Sequence, residues 1–300
     1  LITVQRRSRL WRPLFPLSTK EKQMNVRQHV AELEQDGYTV IPNALSLEEV
    51  RATRQAVEEL LAAEEAIARR TGTQSDNLLT SHTIVGKHPI FYEFFLNPPT
   101  MQVVRQMIGD DALIYDANIR IPMPTGAANK RQGFQLHVDR EDYTVLPFIG
   151  GKHFPMAMNV TWCLVDFTIE NGATLLWPGS HHSCEVPDPE SRPSGYVYAE
   201  APAGSAVIWD AAIWHASGIN HSDSPRYAVL AYYIRSWMRG KTDSLRFIPP
   251  EVRPLLSEEA RHLLGFRPAP PDYSDVKALS PEQLAALSVE EKKVLGFAVY

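Results

Sequence analysis

The spacing of apolar positions changes character part-way along the chain. Over the first third it is helical. Val26, Val30 and Leu33 recur at intervals of three and four, and Gly37 supplies a stop. Tyr38–Pro42 reads as a short strand. Ser46-Leu-Glu-Glu49 has the form of a capping box, in which the serine accepts from a free backbone N–H and the glutamate reaches back. It predicts a long amphipathic helix to about Arg70, with Val50, Val57, Leu60, Leu61 and Ile67 on its apolar side. A third helical stretch surrounds Phe91–Leu96, and Pro98-Pro99 open a further helix that ends at Gly109.

From Ala112 the period becomes two. The alternation predicts strands over Leu113–Pro122, Phe134–Arg140, Met156–Thr168, Ala173–Trp177, Tyr196–Glu200, Ser205–Asp210, Ile213–Ser217 and Arg226–Trp237. Glu170-Asn171-Gly172 marks a tight turn between two of them. Short strands in succession point to a sandwich or barrel, because a parallel sheet would need helices between the strands. The expected fold is mainly β, with a helical layer over about 24–110, a β core over about 111–238 and a tail over 239–300. The tail is Pro-rich from Pro249 to Pro271 and carries helical patterns near Ser257–Leu264 and Pro281–Leu295. Met24 stands just before the first helix, so residues 1–23 are expected to be a non-native or disordered extension and 24–300 a single domain.

Composition narrows the function. Of 300 residues, 44% are hydrophobic and 22% charged, the balance of an ordinary globular chain. The formal charge is 30 − 35 = −5, so the basic field that nucleic-acid binding uses is missing. Cys163 and Cys184 make neither a disulfide framework nor a zinc-finger spacing, which favours a reducing, cytoplasmic setting. No apolar run approaches the ~20 residues that a membrane helix needs. The expected partner is a small molecule, and a homodimer is compatible with the sequence.

The candidate chemistry is a metal site. Gln135-Leu-His137-Val-Asp139 alternates, so Gln135, His137 and Asp139 share one face. A second His-x-Asp, His221-Ser-Asp223, lies in a run of turn formers and reads as a surface loop. His215 ends a later strand. On its own it would be a core histidine, but Arg226 follows eleven residues on, at the start of the next strand. An arginine in a β-rich interior needs an anion, and its planar fork suits a carboxylate. Two histidines and one carboxylate with open positions are the facial triad of non-haem Fe(II) oxygenases. Zinc competes for such ligands, yet gives no reason for the arginine.

With these residues in hand, the sequence resembles the phytanoyl-CoA dioxygenase family of Fe(II)/2-oxoglutarate oxygenases, from about Val30 to Trp237. The resemblance rests on Asp36-Gly-Tyr-Thr-Val-Ile-Pro42, on His137-x-Asp139, on the block from Val165 through Glu170-Asn-Gly and Pro178-Gly-Ser-His181, and on His215 followed by Arg226. It implies a double-stranded β-helix, the jelly-roll core of the cupins, with iron at its mouth. It implies 2-oxoglutarate and O2 as co-substrates, with Arg226 on the distal carboxylate. By the same analogy Thr161 and Ser217 contact 2-oxoglutarate, and Gln135 and Asn118 reach it from the inner face. Cys163 and the tryptophans Trp162, Trp177, Trp209 and Trp214 read as core.

The stretch Arg140–Phe154 follows the acidic ligand directly. With Tyr143, Phe148 and His153 flanking or near a Gly-Gly pair, it reads as a lid. Such aromatic edges suit an apolar natural-product or lipid-like metabolite of secondary metabolism, whereas Lys130, Arg131 and Lys152 are too scattered for a coenzyme A moiety. The expected activity is hydroxylation of an unactivated C–H bond, with succinate and CO2 as co-products. The alternatives are desaturation, ring closure or epimerisation from the same chemistry, or a non-catalytic cupin-like binding protein.

Overall fold

The computed structural model describes residues 24–73, 80–125, 135–139, 148–149, 152–241, 243–266 and 281–294. The chain divides into two compact units, residues 1–265 and 266–300.

The first unit opens with α1 (Val26–Asp36). It ends where Gly37 turns left-handed at φ 81° and sends its N–H back to Leu33. Strand β1 (Tyr38–Ile41) follows, then α2 (Leu47–Thr71), whose capping box forms as expected between Ser46 and Glu49. Val50, Ala56, Val57 and Leu60 are its buried face. Strand β2 (Thr80–His82) carries no clear sequence signal. Phe91–Leu96, expected to be helical, is instead broken into 3-10 turns at Pro89–Phe91 and Phe94–Leu96. Asn97 precedes a proline, which bars it from helical backbone, and it sits at ψ 115° as the cap of α3 (Pro98–Ile108).

The sheets come next: β3 (Leu113–Arg120), β4 (Phe148–Ile149), β5 (Lys152–His153), β6 (Ala157–Cys163), β7 (Leu175–Leu176), β8 (Val197–Tyr198), β9 (Ala206–Asp210), β10 (His215–Ala216) and β11 (Ala228–Ile234). A six-stranded sheet runs β1-β9-β6-β11-β3-β2, a three-stranded sheet runs β10-β7-β8, and β4 pairs with β5. All pairings are antiparallel. The minor-sheet strands are shorter than expected because their hydrogen bonds continue into irregular backbone, as from Trp177 N–H to Trp214 O and from Ala199 N–H to Thr174 O. Of Phe134–Arg140, only 135–139 lies within the described residues. It is extended and meets the sheet through one bridge, His137 to His215.

Two faces of the large sheet have different partners. Met158, Val160 and Trp162 face the helical layer, where Phe94 and Phe95 pack edge-on against Trp162 at 5.0 and 5.8 Å between centroids. Tyr233 anchors the same layer by donating to Phe95 O at 2.8 Å. The opposite face closes on the three-stranded sheet. Cys163, Val207, Trp209 and Ala228 from one side and Leu176 and Val197 from the other form a shared core. This is the jelly roll, with more of the described residues in its helical layer and tail than in its strands. Gly172 and Gly218 cross backbones there. A Cβ on Gly172 would stand 2.8 Å from Gly218 O, and its φ of 79° disfavours any side chain. The tight turn at 170–172 is thus architectural.

The tail forms a short helix at Glu258–Leu263, capped by Ser257. In the second unit, Pro281–Ala286 and Val289–Val294 are helical, two segments where the sequence suggested one.

Candidate metal centre

The alternation around His137 holds: Leu136 and Val138 are buried, while Gln135, His137 and Asp139 face the other way. The bridge then sets the second histidine opposite the first. His137 N–H donates to His215 O at 3.0 Å and His215 N–H to His137 O at 2.9 Å, so both imidazoles stand on one cross-strand pair, with centroids 4.1 Å apart. Asp139 is tied by its N–H to Ala211 O at 2.9 Å. One ligand atom from each of His137, Asp139 and His215 lies within 4.8 Å of the others, and among the described residues no other group of histidine, cysteine, aspartate and glutamate converges this way.

The imidazoles are prepared for a metal. A carbonyl oxygen only accepts, so the contacts of His137 Nδ1 to Gln135 O at 2.8 Å and of His215 Nδ1 to Ile213 O at 3.0 Å require a proton on each Nδ1. In a neutral ring of that tautomer Nε2 carries the lone pair. Burial pushes His215 down to about 4, against the nearby Asp139 charge and with help from His137, which keeps the ring neutral and able to ligate. Asn159 on β6 donates from Nδ2 to Asp139 Oδ2 at 2.9 Å. The donor set of two imidazoles and one carboxylate fits a divalent iron.

Arg226 lies two residues before β11, on the barrel-facing side. It is 5% exposed and its guanidinium stacks over Phe167 at 4.2 Å. Its Nε and Nη1 are buried without an acceptor among the described residues. Burial pushes it down to about 10, against a small opposing effect of Cys163, while Cys163 itself is pushed up to about 12. A buried cation with free N–H groups fits a carboxylate-bearing ligand. Thr161 faces the same interior, paired in register with Leu230 and Val207, and its Oγ1 has no partner among the described residues.

The other expected contacts are placed as follows. Asn118 is buried beside Leu230, and its Oδ1 accepts from Arg120 at 3.2 Å. Ser217 is exposed, two residues past His215, and Gln135 is exposed beside His137. Tyr143 and the Phe148 side chain lie outside the described residues. The His153 side chain is buried. Its imidazole is 3% exposed and meets Asp210 Oδ2 at 3.0 Å, next to the His181 ring. Asp210 follows Trp209, which faces the metal residues, so this pair lies on the other face of the strand. His221 is exposed in its loop, as expected. Trp162 is core, Trp177 and Trp214 pack with Leu136 and Leu175 on the outer side of the small sheet, and Trp209 stands 5.7 Å from His215. Asn159 was not singled out from the sequence, and Trp209 was read there only as core. Their only signal there is the alternation that puts them on the barrel face.

Comparison with known proteins agrees with this geometry. Dioxygenase af480 of Aspergillus fumigatus is 30% identical over 262 residues, covering 82% of this chain and 79% of that one. A protein of Mycobacterium tuberculosis, uncharacterized Rv1501, is 26% identical over 77% of this chain and 83% of its own length. Among solved structures, EctD from S. alaskensis with 2-oxoglutarate and 5-hydroxyectoine superposes with a TM-score of 0.56 at 22% identity, covering 71% of this chain and 76% of that one. The epimerase SnoN, in complex with Fe3+, alpha ketoglutarate and nogalamycin RO, gives 0.52 at 20%, covering 70% and 84%. The profile of the phytanoyl-CoA dioxygenase (PhyH) family matches residues 33–228, and the chain belongs to that family of non-haem Fe(II)/2-oxoglutarate dioxygenases.

Proposed function

We propose that His137, Asp139 and His215 hold Fe(II), that Arg226 receives the distal carboxylate of 2-oxoglutarate, and that the enzyme hydroxylates an unactivated C–H bond of a small, largely apolar metabolite. The observation that carries this reading is the pairing of a converged His-Asp-His set with a buried guanidinium whose Nε and Nη1 have no acceptor among the described residues. When bound, the iron supplies oxygen activation coupled to decarboxylation of 2-oxoglutarate to succinate. The chain's part is orientation and exclusion of water. Arg226 sets which end of the co-substrate enters. Thr161 offers a hydroxyl further along the same face. Trp209, Val207 and Leu230 keep the interior apolar. Asp139 itself favours hydroxylation, because its carboxylate fills the ligand position that a halogenating enzyme leaves to chloride.

The likeness to an epimerase keeps one other outcome in view, an inverted stereocentre with no oxygen gained. Anaerobic addition of Fe(II) and 2-oxoglutarate should give a weak visible charge-transfer band. A metabolite screen scored by succinate release should then yield a product heavier by one oxygen atom. Succinate release with an unchanged or dehydrogenated product would replace the hydroxylase reading. A missing band would remove the co-substrate assignment.

A further inference from the structure

We infer that Asn159 is a positioning residue for the metal centre, its side-chain amide holding the Asp139 carboxylate in the orientation that meets His137 and His215. The inference rests on the reading that these three residues bind the metal. A carboxylate only accepts, so the 2.9 Å contact fixes the amide: Nδ2 faces Asp139 Oδ2 and Oδ1 faces away. The same Oδ2 lies 3.6 Å from His215 Nε2, so the amide grips the oxygen that faces that histidine.

The two partners differ in how firmly they are held. Asn159 sits mid-strand in β6, bonded on both sides by β9 and β11, and every residue of β6 is buried. Asp139 belongs to the 135–139 segment, which among the described residues meets its neighbours through the His137–His215 bridge, Asp139 N–H to Ala211 O and Leu136 N–H to Pro189 O. The bond therefore ties Asp139 to a fully buried strand that is paired on both sides.

The residue type is also informative. Asn159 is 7% exposed and flanked in register by Trp209 and Tyr232, a place where an apolar side chain would serve packing better. Its Oδ1 has no partner among the described residues. A buried amide that leaves one end unsatisfied is costly to the fold. What it does make is the contact to Asp139. Partners of metal ligands of this kind are worth about 10–100-fold in metal affinity.

The test is metal binding to the apoprotein without 2-oxoglutarate, following Mn(II) by electron paramagnetic resonance and Co(II) by its visible bands. Asn159→Ala and Asn159→Leu are compared with the parent, with thermal midpoints of each apoprotein alongside. The parent should bind one equivalent. Both variants should bind roughly 10–100-fold more weakly, with altered Co(II) bands. The apo midpoints should stay near the parent's, the Leu variant matching or exceeding it. Affinity within twofold of the parent, with the same Co(II) bands, would overturn the inference. So would weakened binding that appears only together with a fall in the apo midpoint of both variants. A parent that binds no metal would instead remove the metal-site reading itself, a distinct result.

Discussion

Arg226 gives the sharpest test, because its buried charge should act on stability and on co-substrate binding in opposite directions. Burial lowers it from 12.5 to about 10. At about 1.36 kcal/mol per pH unit, keeping that cation inside costs the apoprotein about 3 kcal/mol. The stacking on Phe167 returns about 0.5–2 kcal/mol of this. Arg226→Met keeps most of the stem and removes the charge, so the apoprotein should be as stable as the parent or more stable by up to about 3 kcal/mol. The same change takes away the partner of a carboxylate in a desolvated pocket, a loss of about 2–5 kcal/mol. That is roughly 30-fold to several-thousand-fold in 2-oxoglutarate affinity. Arg226→Lys should fall between, retaining charge without the fork. Anaerobic titration of 2-oxoglutarate into the Fe(II) protein, read by the charge-transfer band, measures the second effect, and urea midpoints of the apoproteins measure the first. Unchanged 2-oxoglutarate affinity in both variants would refute the carboxylate assignment. A clear loss of apo stability in Arg226→Met would refute the argument that the cation is unpaired there.

Three further outcomes are expected. His215→Ala should lose metal binding and turnover while His221→Ala keeps both, as judged by Mn(II) binding and succinate release; the reverse pattern would mean that the wrong histidine was chosen. Burial holds both His181 and His215 down at about 4, so between pH 6.5 and 4 the unfolded chain binds more protons than the folded one and apo stability falls as pH drops through that window. The fall should approach about 3 kcal/mol for each histidine by pH 4, and His181→Gln should flatten the urea midpoint against pH. Gly172→Ala should destabilise the fold by about 1–3 kcal/mol from its left-handed backbone alone, with more from the clash at Gly218 O, visible as a lowered thermal midpoint.

The residues of the site differ in how far the sequence exposes them. Gln135, His137 and Asp139 sit within one alternating stretch, and alternation is local, so their shared face could be read directly. His215 and Arg226 needed only strand ends and spacing. Asn159 was hidden because its partner lies 20 residues away and arrives through pairing of other strands. The contact of His153 was hidden for a similar reason: Asp210 lies 57 residues on. The helical layer was legible where caps mark it, at Ser46 and Gly37. It was misread at Phe91–Leu96, where an apolar run imitates a continuous helix but the backbone forms short 3-10 turns. The minor sheet was found but drawn too long, since two-residue strands extended by irregular bonds leave the same alternation as full ones.

The exchange of backbone hydrogen bonds between His137 and His215 has a dynamic consequence. The side chains of His137 and His215 ride on the same bridge, so any opening of that bridge also parts them. A metal bound by all three must therefore resist the opening. At a free metal concentration 100 times the dissociation constant it would oppose it by about 2.7 kcal/mol. Amide hydrogen exchange at His137 and His215 should then slow about 100-fold on loading. Metal occupancy would be recorded in the backbone clock of two residues, and the ion would serve as a clasp on the barrel mouth as much as a reagent within it.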